Sequence, residues 1–249
     1  RLVSTDGAVS TLAGTGEPGF SGDGGPSQRA AITAPKALML DSAGNLYFAD
    51  SGNFRVRRID RCGIIESIAG SGHPGDGGDG GPAVAAQFRD ATGLAMDAIG
   101  NIYVADPASD RVRKIGLDGI IVTFAGTGQV GSGDDGGYAN ETSLDGPSDV
   151  AVGQDGTVYI SEMRSQKIRA VSTDGIVSTV AGPSHRELPQ KDPPELTSTG
   201  NASLVQQEMF LQNPASIALD DEGRIYVAEL TGGIVSAFIP GEAPRRVVG

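Results

Sequence analysis

The chain has 249 residues, 38 of them glycine, with no tryptophan and no apolar run long enough to cross a bilayer as a helix, which points to a turn-rich fold and removes a helical membrane span. Its 31 acidic and 19 basic residues give a formal charge of -12, so polyanions such as DNA, RNA and acidic lipid are repelled at long range and nucleic acid is not an expected partner. A single cysteine, Cys62, excludes an internal disulfide and a cysteine-rich metal site.

The sequence begins at Arg1 without Met and reads as a processed or excised segment. Ala8 to Ala13 predict a strand that closes on S-T-L-A-G, and this ending returns along the chain. Its glycines are Gly14, Gly70, Gly126 and Gly182, at a constant spacing of 56 residues, and a looser copy ends at Gly249, 67 residues on. Self-similarity at one period is the signature of a repeat architecture. The units run approximately 14–69, 70–125, 126–181 and 182–249 within one domain spanning 1–249.

Each unit contains four short apolar runs, here named strands A to D. In the first they are KALMLD, NLYFAD, RVRRID and IIESIAG. Length, β-branched content and flanking turn residues make each a strand. Asp, Asn and Gly in the A-to-B turn Ser42 to Asn45 and the C-to-D turn Thr173 to Gly175 supply hairpin geometry. Four antiparallel strands repeated in tandem predict an all-β fold, a β-propeller of four-stranded blades.

The run from Pro35 to Asp60 resembles an NHL repeat, and the chain as a whole resembles the bacterial NHL propellers, whose repeats are joined by A-G-T-G…S-G-D-G-G-P linkers. The resemblance implies a propeller, commonly of six blades. The four full repeats plus the extra N-terminal strand are therefore read as part of a larger ring, completed by missing blades or by self-association, with a self-contained four-unit ring as the alternative. An open arc would expose sheet edges and apolar blade faces.

Alternating strand direction sends the D-to-A linkers and B-to-C turns to one end of the blades, the loop face, and rigid scaffolds usually carry their sites on such loops. Asp23, Asp79 and Asp135 recur there, each followed by Gly-Gly. They are candidate Ca²⁺ ligands, since carboxylates beside flexible glycine carbonyls suit that ion; the alternative is a structural turn in which Asp caps local N–H groups and Ala30, Ala31 and Ile32 tuck between blades. Strand B ends in Asp50, Asp106, Glu162 and Glu229, with a base five residues on except in the fourth unit, where Ile234 leaves Glu229 as a candidate for ligand binding. Asp41, Asp97 and Asp220 end strand A as turn initiators, and Tyr47, Tyr103, Tyr159 and Tyr226 recur in strand B as packing residues.

The two histidines, His73 and His185, both fall in linkers and join the binding-face candidates. The longest linker, Pro183 to Gln212, carries a Pro-rich half and a predicted short helix from Ala202 to Phe210 that would present Met209 and Phe210. No nucleophile elbow, zinc-protease helix or phosphate loop occurs. Residues of architecture repeat while unique catalytic groups are lacking. The expectation is a non-enzymatic scaffold whose loop face binds a protein, glycan or small ligand outside the cytoplasm, secreted or periplasmic. The alternative is a propeller enzyme, like the lactonases or the peptide-amide lyase of NHL type, with a cation in the central tunnel.

Overall fold

The computed structural model describes residues 1–183, 211–231, 233–240 and 245–248. The chain opens with a hairpin, β1 (Leu2–Val3) and β2 (Val9–Ser10). The first unit follows as β3 (Gly25–Pro26), β4 (Pro35–Leu40), β5 (Leu46–Asp50), β6 (Arg55–Ile59) and β7 (Ile64–Ala69). The second is β8 (Gly93–Met96), β9 (Ile102–Asp106), β10 (Arg111–Ile115) and β11 (Ile121–Ala125); the third is β12 (Pro147–Val152), β13 (Val158–Glu162), β14 (Lys167–Val171) and β15 (Val177–Ala181). The fourth is β16 (Pro214–Leu219), β17 (Ile225–Glu229), β18 (Ile234–Phe238) and β19 (Arg245–Val248).

Every unit forms one antiparallel sheet in the order A-B-C-D, and the four sheets stand as the blades of a β-propeller. Where a single N-terminal strand was expected, a two-stranded hairpin is found, because Leu2 and Val3 pair with Ser10 and Val9. The inner strands stack in succession, β4 against β8, β8 against β12 and β12 against β16, and among the described residues no packing of that extent joins β16 back to β4. The blades thus follow one another as an arc.

Period-two alternation decides which side of a blade each residue meets. Tyr47, Ala49 and Val56 of blade 1 face forward onto Phe88, Leu94, Val104 and Ile121 of blade 2 in one buried cluster. Tyr103, Ala105 and Val112 of blade 2 meet Leu144, Val150 and Ile160 of blade 3 in the same way, and Tyr159 and Ile168 meet Leu211, Ile217 and Val227 of blade 4. Burying each large apolar side chain contributes about 1.5–3 kcal/mol, so the three interfaces carry the stability of the array. Polar struts join the inner strands too: Thr92 Oγ1 donates to Ser148 O at 2.7 Å, and Ser148 Oγ to Pro214 O at 2.9 Å.

The linker has a definite path. After Gly14 it crosses the loop face, runs up the outer edge of the blade it is entering, and pairs there as β3 with β7, Gly25 opposite Ile65 and Pro26 opposite Ile64. Single bridges Pro82 to Ile120 and Tyr138 to Ile176 repeat this contact in blades 2 and 3. A short 3-10 turn follows each time, at Ser27–Arg29, Ala83–Ala85 and Ala139–Glu141. The Gly-Gly-Pro of the first two linkers and the Gly-Gly-Tyr of the third therefore cover the otherwise open edge of strand D, where an exposed edge would invite pairing with another chain.

Candidate functional site

The loop face is built around three buried arginines. Arg57, Arg113 and Arg169 occupy the same place in strand C, and their side chains are 0%, 1% and 0% exposed. Each reaches the linker aspartate above it: Arg57 to Asp23 at 2.7 Å, Arg113 to Asp79 at 2.5 Å and Arg169 to Asp135 at 2.9 Å. Thr123 and Thr179 of strand D add hydroxyl donors to Asp79 and Asp135. Burial pushes the Asp135 carboxyl up, but the Thr179 and Arg169 donors more than offset it and hold the group below its ordinary value. The three aspartates considered for Ca²⁺ thus lie on three separate blades, each held by its own guanidinium. Among the described residues no group of three or more His, Cys, Asp or Glu side chains converges as a metal would require. In the fourth unit the arginine position is Ser236 and the linker aspartate is gone, so the two partners are lost together.

The acids at the end of strand B receive N–H groups from the linker. Asp50 accepts from Thr33 N at 2.8 Å, Asp106 from Arg89 N and Asp90 N at 2.8 and 2.9 Å, Glu162 from Asp145 N at 3.3 Å and Glu229 from Gln212 N at 2.7 Å. They clamp the incoming linker onto the sheet. Burial pushes the Asp106 carboxyl up, and its backbone and Ser109 donors only partly counter this. Glu229 is buried and takes a further hydrogen bond from Ser236 Oγ. The base five residues on does not serve this acid in the first two blades: Arg55 donates to the carbonyls of Gly70 and Ser71 and stacks over Phe20, and Arg111 donates to Thr127 O and pairs with Asp76. The partner is the arginine two residues further, Arg57 for Asp50 at 3.4 Å and Arg169 for Glu162 at 3.6 Å. Its recurrence at 57, 113 and 169 was visible in the sequence as the last residue of R-V-R, R-V-R and K-I-R.

His73 is exposed on the second linker. His185, Met209 and Phe210 lie outside the described residues, as does the predicted helix. Exposed apolar side chains do mark the linkers and B-to-C turns of this face: Phe20 at 43%, Val130 at 79% and Leu230 at 67%. One acid escaped the periodic reading altogether. Asp149, on inner strand β12, accepts Ser216 Oγ at 2.6 Å and Ile217 N at 3.1 Å from blade 4, and burial raises its carboxyl despite these donors. Its counterparts are Ala37, Gly93 and Ser216, so no repeat pattern announces it.

On the opposite, short-turn face, the tyrosines and the strand A aspartates prove to be one motif. Tyr47, Tyr103 and Tyr226 donate their hydroxyls to Asp41, Asp97 and Asp220 at 3.1, 3.2 and 3.1 Å. A groove of about 400 Å³ between blades 2 and 3 is lined there by Asp97, Tyr103, Lys114, Phe124, Asp155 and Thr173. Tyr103 meets Phe124 edge-on with ring centres 4.8 Å apart. Burial first, and the Asp97 charge second, push the Tyr103 phenol up to about 12 from an ordinary 10.0. The folded phenol thus holds its proton longer than the unfolded one, and its contribution to stability is intact below about pH 10 and lost as pH rises through 12. In an ultraviolet titration of the five tyrosines, Tyr103 should ionise last, and Asp97→Asn should bring its midpoint down; a Tyr103→Phe variant identifies the transition. Ionisation of all five together near pH 10 would contradict this.

No family model matches the chain. Among curated proteins it is 30% identical over 258 residues to Teneurin-3 of Danio rerio, covering 88% of this chain and 9% of the relative. It is also 30% identical over 242 residues to Teneurin-4 of Homo sapiens, covering 90% of this chain and 8% of the relative. The chain therefore spans less than a tenth of the length of these proteins. Among solved structures the fold recurs in a nidogen–laminin complex (TM-score 0.59, 14% identity, 88% of this chain and 65% of that one) and a streptogramin B lyase (0.52, 16%, 85% and 53%). It recurs also in a gluconolactonase from Xanthomonas campestris (0.54, 15%, 86% and 62%). The fold is a propeller. At these identities the structural likenesses establish that architecture and leave the activity to the residues.

Proposed function

We propose that this NHL-type propeller is a non-enzymatic scaffold whose loop face binds a protein outside the cytoplasm. The observation that carries the reading is the division of labour on that face. Its recurring aspartates and strand-end acids are engaged in holding linkers to blades, while Phe20, Val130 and Leu230 project apolar surface from separate blades. Spaced apolar anchors on rigid loops suit protein recognition better than glycan recognition, which leans on polar contacts. A propeller of this fold also occurs in a nidogen–laminin complex, a protein–protein assembly, which supports this role. An enzymatic reading of the lactonase kind is favoured by one feature, the carboxyl of Asp149 on inner strand β12.

Two measurements separate them. Proximity labelling from the loop face should mark a protein partner that disappears for Val130→Asp/Leu230→Asp, a variant expected to keep its fold because both side chains are mostly exposed. The same partners for both proteins would remove the proposed surface. Hydrolysis of glucono-lactone with Ca²⁺, lost in Asp149→Asn, would replace the scaffold reading with the enzymatic one.

A further inference from the structure

The 3-10 turn by which the third linker enters blade 3 keeps the backbone of the other two and changes its side chains. In the first two linkers the segment is Pro26, Ser27, Gln28, Arg29, Ala30 and Pro82, Ala83, Val84, Ala85, Ala86; in the third it is Tyr138, Ala139, Asn140, Glu141, Thr142. The residue ahead of each turn has φ of -61°, -59° and -68°, at Pro26, Pro82 and Tyr138. Each turn closes in the same way, Ala30 N donating to Ser27 O, Ala86 N to Ala83 O and Thr142 N to Ala139 O. Ser27, Ala83 and Ala139 are buried, and the residue after each of them, Gln28, Val84 or Asn140, is exposed. The fold therefore turns position 140 outward, and asparagine stands there in blade 3 alone among these turns.

Asn140, Glu141 and Thr142 make an Asn-x-Thr triplet without proline at its centre, the acceptor pattern for N-linked glycan. A second triplet, Asn201, Ala202 and Ser203, lies outside the described residues. Two features of the structure bear on Asn140. Thr142 is buried and its Oγ1 donates to Tyr138 O at 2.8 Å, so the triplet is fully open to a transferase before blade 3 packs, while Asn140 stays in solvent afterwards. Tyr138, two residues ahead, is 56% exposed on the outer edge of the blade, where it bridges to Ile176 and where the other two linkers carry proline. An aromatic ring left in water offers apolar surface that the C–H face of a sugar can cover.

We infer that Asn140 is an acceptor for N-linked glycan when the chain passes through a secretory compartment, with Tyr138 as the platform for the first N-acetylglucosamine. In the transfer, Asn140 Nδ2 bonds to the anomeric carbon of a polyprenyl-diphosphate-linked oligosaccharide. The bond from that carbon to the diphosphate oxygen breaks, the polyprenyl diphosphate leaves with the electron pair, and one amide proton passes to a base of the transferase. The inference rests on the proposed location outside the cytoplasm and not on the protein-binding loop face, so loss of the glycan and loss of the partner are separate results.

The test expresses the chain behind a secretory leader in mammalian cells, in an Asn201→Gln background that leaves Asn140 as the remaining acceptor. Peptide mapping of the secreted chain should place a glycan on Asn140. Thr142→Ala, which restores the alanine of the other two turns, should abolish it while secretion continues. Compared with the same chain made without glycan in a bacterial cytoplasm, the glycosylated protein should unfold about 2 °C or more higher. That gain should vanish in Tyr138→Pro, a change the fold accepts because Pro26 and Pro82 hold the same place at nearly the same φ. An unmodified Asn140 in the secreted chain, or a glycan that persists in Thr142→Ala, would overturn the site; an equal thermal gain in Tyr138→Pro would overturn the role of the tyrosine.

Discussion

Arg169→Met lowers stability by about 3–5 kcal/mol, the range for removing one partner of a buried ion pair. Arg169 is fully buried, and its guanidinium is the cation facing Glu162, whose side chain is 0% exposed, while its other end holds Asp135 at 2.9 Å and Ser132 Oγ at 3.0 Å. Methionine fills much of the volume but takes the guanidinium away from the buried Glu162 carboxylate, which is left with neutral donors, Ser132 Oγ, Ser165 Oγ and Asp145 N. Asp135→Asn costs only about 1 kcal/mol or less, because that carboxylate is 50% exposed and its Coulomb attraction is screened. Combining Arg169→Met with Glu162→Gln should recover part of the loss, since replacing both members of a buried pair is cheaper than orphaning one. Urea unfolding measures all three variants, read as a shift of midpoint at constant slope. An Arg169→Met variant within experimental scatter of the parent would show that the buried arginine does not hold the linker. The fourth blade keeps its buried acid, Glu229, without an arginine, and there Ser236 in the arginine position and Gln212 N donate to the carboxylate.

Gly126→Ala costs about 3–4 kcal/mol. Gly126 has φ +92°, where an L-residue is disfavoured by about 1–2 kcal/mol, and an added Cβ would be driven into the carbonyl oxygen of Asp110, a backbone atom that cannot swing aside. Its N–H also donates to Ala139 O at 2.9 Å, the bond that turns strand D into the linker. Gly70 and Gly182 repeat the geometry against Phe54 O and Gln166 O. Gly136→Ala is the control: its φ is +90° but nothing stands within 4 Å of its Cβ, so it isolates the conformational cost at about 1–2 kcal/mol. Equal losses for the two variants would remove the steric argument. The same geometry explains why the A-G pair was the most regular mark of the repeat.

Much of the fold was legible because the repeat is enforced by backbone chemistry, which each blade must satisfy again. The 56-residue spacing, the strand runs and the hairpin turns follow from local rules, and all four sheets obey them. The candidate site was legible only in part. Asp23, Asp79 and Asp135 stood out as a series, yet their partners are 34 residues away on strand C, and carboxylates beside glycines look alike whether they face a cation or a guanidinium. The base at Arg55 was nearer in sequence than Arg57, but at the end of the strand it turns to the carbonyls of Gly70 and Ser71, and it is Arg57 that lies under the linker aspartate.

By itself the sequence determined the propeller, its four units and the face on which the linkers gather, since these depend on period, turn residues and strand alternation. Only the tertiary structure decided which acids hold linkers and that Asp149 bridges two blades at the inner strands. Those facts rest on contacts between residues far apart in the chain, and such contacts exist only once neighbouring blades have packed.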